Sequence, residues 1–252
     1  MRLTDNTILV TGGGSGIGRG LAIALRKAGN RVVIAGRRTD ALRAAADECP
    51  GIGYLRLDLT DGQSILRFVT EVERQYPDLN VVINNAGVMA LENVDAPDPD
   101  SASAVVATNL LGPITLTSLL IPGLKSQPTA AVVNVTSALA FVPMAIAPTY
   151  SATKAGLHAY TEALRFLLRD SQVRVVEVAP PRIETEMDGL GDSFTMTVDD
   201  FIDEMLGLMV ANPDSDEVIV TAARDLRDAE RNGEYAEQFA VVNPDPTFNP
   251  WV

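Results

Sequence analysis

Thr11-Gly12-Gly13-Gly14-Ser15-Gly16-Ile17-Gly18 follows directly on the apolar run Thr7-Ile8-Leu9-Val10 and opens an apolar-periodic stretch that reaches Asn30. A strand that turns through several glycines into a helix lets backbone N–H groups approach a pyrophosphate without Cβ interference. It also aims the positive end of the helix dipole at that charge. The reading is a dinucleotide cradle, with a glycine-rich turn lacking any ligand as the alternative. No three glycines fall at G-x-G-x-x-G spacing; the pattern is T-G-x-x-x-G-x-G. Gly12, Ser15, Gly16, Ile17 and Gly18 are the candidate phosphate-end contacts.

Working outward, short β-rich runs alternate with helical stretches: Thr7–Val10, Arg31–Ala35, Gly53–Arg56, Val81–Asn84, Ala131–Val135, Arg174–Val178 and Glu217–Val220. Near-continuous valine and isoleucine in these runs indicates strands covered on both faces. The predicted fold is α/β, a doubly wound parallel sheet of the Rossmann type in one domain spanning 1–252. The crevice at the strands' carboxyl ends would collect the functional loops. The 252 residues, 46% of them hydrophobic, suffice for a substantial core, and no linker or repeat interrupts them.

Composition narrows the partners. A formal charge of −13 repels nucleic acid and anionic membrane over most of the surface. Strand-forming residues begin close to Met1, so a cytoplasmic location is expected. The single cysteine, Cys49, expected near the end of a surface helix, offers neither a disulfide nor a metal cluster. From Ser101 through Thr153 the only charge is Lys125. Asn109, Gly112, Pro113 and several threonines interrupt the apolar run Ser101–Leu124, so it reads as a buried helix rather than a membrane span. It should cross the domain or pack on a second subunit.

About twenty residues beyond the glycine turn, where an acid would bind the ribose of NAD, stands Ala35-Gly36-Arg37-Arg38. Gly36 leaves space, and Arg37, with Arg38 as a second contact, offers planar donors suited to a 2′-phosphate, so NADP(H) is the expected cofactor. Asp58, with Leu59 after it, would meet the adenine, while Asp61 suits the N-cap of the next helix. Asn84-Asn85-Ala86-Gly87 provides small residues for the cofactor ribose, and its asparagines can tie neighbouring strands together. Ser137 ends the Asn134–Ser137 run, and Tyr150 and Lys154 follow, four residues apart. On a helix that spacing puts both side chains on one face, where the ammonium favours phenolate and makes Tyr150 a usable proton donor near neutral pH.

These motifs, in this order along nearly the whole chain, resemble the short-chain dehydrogenase/reductase family of the single-domain kind. The resemblance implies a tetrad of Asn109, Ser137, Tyr150 and Lys154 and hydride transfer between nicotinamide and a carbonyl carbon. Tyr150 would protonate the carbonyl oxygen, Ser137 would hydrogen-bond it, Lys154 would hold the nicotinamide ribose, and Asn109 would hold a water joining Lys154 to solvent. Pro180-Pro181 stands where the family usually has Pro-Gly, giving a stiffer backbone with one donor fewer. Pro180, Ile183 and Thr185 remain candidates for the carboxamide and phosphate. Ala179-Pro180-Pro181, Ala155–Thr161 and Leu226–Glu230 resemble the DltE-like oxidoreductase subgroup, whose name records a gene neighbourhood of lipoteichoic acid D-alanylation more than a chemistry.

Ala138, Leu139, Phe141, Met144 and Ile146 are the expected pocket wall, with Met187, Leu190, Phe194 and Met196 on a lid within 180–197 hinged at Gly189 and Gly191. An apolar pocket predicts a hydrophobic ketone, aldehyde or secondary alcohol as substrate and carbonyl reductase or alcohol dehydrogenase activity. The alternatives are an NADP-sensing regulator without turnover and an epimerase or dehydratase. His158, the one histidine, is expected to be structural, because no carboxylate accompanies it at relay spacing along the chain. Arg182 reads either as a clamp for an anionic substrate group or as a surface charge. The stripe Ala152, Ala155, Ala159 and Ala163 is accounted for by core packing, with a homodimer or homotetramer interface as its extension.

Overall fold

The computed structural model describes residues 3–185 and 196–244. The sheet comprises β1 (Thr7–Thr11), β2 (Arg31–Gly36), β3 (Ile52–Arg56), β4 (Val81–Asn84), β5 (Ala130–Val135), β6 (Val173–Val178) and β7 (Glu217–Val218). All pairings are parallel, in the order β3-β2-β1-β4-β5-β6-β7. The order reverses between β1 and β4, which opens the crevice beyond their carboxyl ends.

Strand alternation sorts the core into two layers. Ile8, Val10, Ile34, Ile83, Val133 and Val176 face α1 (Gly16–Lys27), α2 (Thr39–Glu48) and α7 (Val198–Ala211), whose Leu21, Leu25, Leu42, Phe201 and Met205 close that side. Leu9, Val33, Val82, Val132 and Val175 face the other way. They meet Phe68 and Val72 of α3 (Gly62–Gln75), Leu116 and Leu120 of α5 (Gly112–Ser126), and Leu164 and Leu168 of α6 (Pro148–Leu168). Strands covered on both faces explain the uninterrupted valine and isoleucine runs. The last strand is two residues shorter than expected: pairing with β6 stops at Val218, and the chain then turns into a 3-10 segment at Thr221–Ala223.

The uncharged stretch is helical, as α4 (Pro99–Val106), a π-helical segment (Ala107–Leu111) and α5. It is long and apolar enough to cross a membrane, yet Leu116, Leu120 and Leu124 are buried in the core beneath it. Leu111, by contrast, is 56% exposed. The alanine stripe on α6 corrects its expected place in the core: Ala152, Ala159 and Ala163 are exposed, and Phe166 and Leu167 near the end of the helix are 65% and 73% exposed. Cys49 follows the last residue of α2, as expected. The chain ends in α8 (Arg224–Asn232) and α9 (Tyr235–Val242).

Candidate active site

A single cleft of about 1980 Å³ runs across the carboxyl ends of the strands, and every expected cofactor residue from Gly12 to Thr185 lines it, together with Ser137, Tyr150 and Lys154. At its phosphate end, Gly12 and Gly16 have φ of +70° and +51°, a conformation that favours glycine. A Cβ on Gly12 would stand 2.8 Å from Ala86 Cα, and one on Gly18 would stand 2.4 Å from both Asn85 Nδ2 and the Gly12 carbonyl. Thr11 locks this contact: its Oγ1 accepts from the Asn85 and Ala86 amides at 3.0 Å, and its carbonyl accepts from Asn85 Nδ2 at 2.9 Å. The asparagine therefore does tie β4 to β1. We expect Gly18→Ala to destabilise the fold by about 1–3 kcal/mol, as overpacking does. Thermal unfolding checks this; an unchanged Tm would show that both Asn85 and the Gly12 peptide shift to make room.

No acidic residue occupies the first turn of α1, so its dipole is unopposed there. A Cβ on Gly16 would meet Thr185 Cγ2 at 3.3 Å, which places Thr185 against the same turn. Ser15 Oγ accepts from Arg38 at 3.2 Å, while Arg37 is exposed at the cleft edge. Asp58 accepts from the Thr60 amide and hydroxyl at 3.0 and 2.8 Å. Burial alone would raise its pKa, but these bonds and the Arg37 and Arg56 charges hold it below the usual carboxylate value. Asp61, not Asp58, caps α3. The cradle, the open helix terminus and the two arginines fit a phosphorylated dinucleotide.

At the chemical end, α6 carries Tyr150 and Lys154, 8% and 4% exposed. Lys154 Nζ donates to the Val135 carbonyl at 2.9 Å and lies 5.6 Å from the Tyr150 ring centroid. Burial lowers the lysine pKa to about 8. Ser137 Oγ accepts from the Leu139 amide at 3.1 Å, which leaves its own O–H to donate. Asn109 does not line the cleft. Its amide group is committed to the Val88 N–H and carbonyl, both at 2.8 Å, and to Thr153 Oγ1 at 3.2 Å. The side chain thus holds the loop after Gly87 in place.

The substrate wall differs in part from expectation. Leu139, Met144 and Ile146 line the cleft, but Phe141 turns away and stacks edge-on against His158, with ring centroids 4.9 Å apart. Met196 pairs with Ile183 in an isolated bridge and packs on the core, while Met187, Gly189, Leu190, Gly191 and Phe194 lie outside the described residues. The Pro180 carbonyl accepts from the Ala138 amide at 2.8 Å, tying the exits of β5 and β6, and Arg182 lies on the cleft wall. Sequence reasoning missed α9: Phe239, Val241 and Val242 line the cleft mouth. Asn243 clips that helix in place, accepting from the Ala145 amide at 2.6 Å and donating to the Pro143 carbonyl at 3.1 Å. It missed Glu92 as well, which accepts from the Thr149 amide at 2.8 Å and fixes the start of α6.

His158 corrects the expectation that no carboxylate accompanies it: its Nδ1 lies 2.8 Å from Glu177 Oε2 on β6, and its Nε2 lies 3.7 Å from Glu162, four residues farther along α6.

Comparison with known proteins gives the family. The chain is 40% identical over 189 residues to an uncharacterized oxidoreductase, DltE, of Bacillus subtilis, covering 73% of this chain and 74% of that protein. It is 31% identical to an NADP-dependent 3-hydroxy acid dehydrogenase of Schizosaccharomyces pombe, covering 73% and 74%. Among solved structures, a short chain dehydrogenase from Burkholderia cenocepacia in complex with NADP superimposes with a TM-score of 0.82 at 29% identity, covering 94% of this chain and 98% of that one. The short chain dehydrogenase profile matches residues 6–192, and on this evidence the chain belongs to the short-chain dehydrogenase/reductase family of oxidoreductases.

Proposed function

We propose that the protein is an NADP(H)-dependent carbonyl reductase or alcohol dehydrogenase acting on a hydrophobic ketone, aldehyde or secondary alcohol. The observation that carries this reading is one cleft lined by the glycine cradle, Arg37, Ser137, Tyr150 and Lys154 together. The dinucleotide supplies the hydride when bound; the turn from Gly12 to Gly18 would hold its pyrophosphate, Arg37 its 2′-phosphate and Lys154 its nicotinamide ribose. Ser137 then donates its O–H to the substrate oxygen and Tyr150 delivers the proton, with the Lys154 ammonium favouring the phenolate left behind. Leu139, Met144, Ile146, Phe239 and Val241 supply apolar surface for the substrate's remainder. NADPH consumption over a panel of ketones and aldehydes, and NADP⁺ reduction with alcohols, tests it. Turnover confined to polyanionic or sugar-nucleotide substrates would overturn the substrate class, and NADPH binding without any turnover would favour a cofactor-sensing role.

The reading includes a cytoplasmic, homo-oligomeric protein. Leu111, Phe166 and Leu167 are large apolar side chains exposed on the π segment and α6 beside the alanine stripe. Small residues permit close helix approach, so these helices pairing with their symmetry mates would close a dimer, doubled into a tetramer through another face. Light scattering at micromolar concentration should give a dimer or tetramer mass; a monomer would remove the idea.

A further inference from the structure

Among the described residues, two side chains of the Asp, Glu, Lys and Arg types are buried: Lys154, already placed in the site, and Glu177 at 0% exposure. A carboxylate taken fully out of water is costly unless it is paired and hydrogen-bonded. Glu177 stands on β6 two residues after Val175, at a position where strand alternation calls for another apolar residue packed towards α6. Its two oxygens reach in different directions. Oε1 accepts from Thr136 Oγ1 at 2.7 Å, and Oε2 lies 2.8 Å from His158 Nδ1. Thr136 is the residue before Ser137, and His158 lies one turn of α6 beyond Lys154.

We propose that Glu177 is a positioning residue: one buried carboxylate ties the end of β5 that carries Ser137 to the helix that carries Tyr150 and Lys154, and so fixes the spacing of the reacting groups. This rests on the catalytic reading above. Ser137 lies past the end of β5, beyond the last ladder pair of Val135 with Val178. The apolar contacts of Leu164 and Leu168 hold α6 on the sheet, but the hydrophobic effect is itself non-directional. Directional ties set the register. Asn134 Nδ2 donates to Thr161 Oγ1 at 2.8 Å farther down the helix, Lys154 Nζ donates to the Val135 carbonyl at 2.9 Å, and the Glu177 fork adds a side-chain tie at Thr136, the residue next to Ser137. A misplacement of about 1 Å at reacting groups costs about a hundredfold in rate.

The surroundings favour a charged pair. The Glu177 hydrogen bond raises the His158 pKa above its ordinary value; burial opposes this, the charges of Glu177 and Glu162 add to it, and Arg227 detracts. Glu162 on α6 lies 3.7 Å from His158 Nε2. From α8, Arg227 sits 4.5 Å over the Phe141 ring and binds Glu217 of β7 through two bonds of 2.8 and 3.0 Å, with Asp228 and Arg231 flanking it. Phe141, the expected pocket-wall residue, thus stands between the imidazole and the guanidinium. The ion pair is complete below the ordinary histidine value and is lost as pH rises through the raised one.

A set of variants and one spectrum test this. Glu177→Val should keep NADPH affinity within about threefold, because the glycine cradle lies on other strands, while kcat for a ketone falls at least about tenfold. Glu177→Gln, which can accept from Thr136 and donate to the imidazole, should restore kcat to within about threefold of wild type. Thr136→Val and His158→Leu each cut one arm of the fork, so their losses in kcat should not multiply in the double variant. Wild-type kcat in Glu177→Val, or fully multiplicative arms, would overturn the proposal; if Glu177→Val fails to fold, the arms decide. His158 is the chain's one histidine, so NMR of its imidazole in tag-free protein reads the pair without turnover. A pKa above the ordinary value that drops in Glu177→Gln is expected, and a value unmoved by that change sinks the tether. Should Tyr150→Phe stay active, the catalytic reading itself is wrong. Should it die while Glu177→Val keeps full kcat, only the tether is wrong.

Discussion

Replacing Tyr150 with phenylalanine will leave the fold and NADPH binding intact and lower kcat at least about a hundredfold, the low end of what a positioned proton donor contributes. The substitution removes one oxygen from a ring that is 8% exposed on a helix anchored by its own side-chain bonds, so little else changes. Thr153 Oγ1 donates to the Tyr150 carbonyl, Ser151 Oγ donates to the Ala147 carbonyl, and Lys154 Nζ donates to the Val135 carbonyl; none of these uses the phenol. Ser137 can still polarise the substrate oxygen, which accounts for residual turnover. Single-turnover kinetics with a ketone found by the panel, alongside NADPH titration and thermal unfolding, separates the outcomes. A near wild-type rate would show that the proton comes from elsewhere. The same assay carries a pH signature: with the Lys154 pKa lowered to about 8, its ammonium predominates at neutral pH and is lost as pH rises through that value. Reduction by the wild-type enzyme should therefore weaken across that window.

Much of this was legible in the chain because the relevant signals are local. Strands buried on both faces leave valine and isoleucine runs, and the glycine turn, Ser137 and the Tyr150–Lys154 spacing each occupy a few consecutive residues or one helix face. Apart from Glu162, one turn beyond His158 on the same helix, what escaped is non-local. His158 and Glu177 belong to different elements and meet only because α6 lies across β6, so spacing along the chain could not announce the pair. The alanine stripe showed that one face of α6 is small but not what covers it; the core lies on the Leu157, Leu164 and Leu168 face instead. Phe141 was apolar and next to the site, yet its direction is set by His158 and Arg227, which the sequence places far away. Asn243 and the wall formed by α9 carry no motif, because a backbone clip needs one side-chain amide and any pair of exposed peptide groups.

Arg37→Ala should weaken NADPH binding by about 1.5–3 kcal/mol, or roughly ten- to a hundredfold, while leaving NADH affinity within about twofold. The argument is positional. Arg37 leaves the end of β2 at the cleft edge, exposed, where its charge helps depress the neighbouring Asp58 carboxyl. Asp58 itself is turned towards Thr60, whose amide and hydroxyl both reach its Oδ1, and so does not take the place of the missing ribose-binding acid. A 2′-phosphate arriving at this edge meets a planar guanidinium with donors to spare, whereas a bare 2′-hydroxyl finds no carboxylate to accept its proton at the end of β2. Arg38 is differently placed: its guanidinium already donates to Ser15 Oγ, so Arg38→Ala should cost NADPH less than Arg37→Ala does and should disturb the entry to α1 instead. Fluorescence titration of both cofactors into wild type and the two variants decides the matter. The selectivity should be large in the wild type, collapse in Arg37→Ala and persist in Arg38→Ala. Equal affinity of the wild type for NADH and NADPH would sink the assignment, and a loss shared equally by both cofactors would show that Arg37 shapes the cradle rather than reading the phosphate.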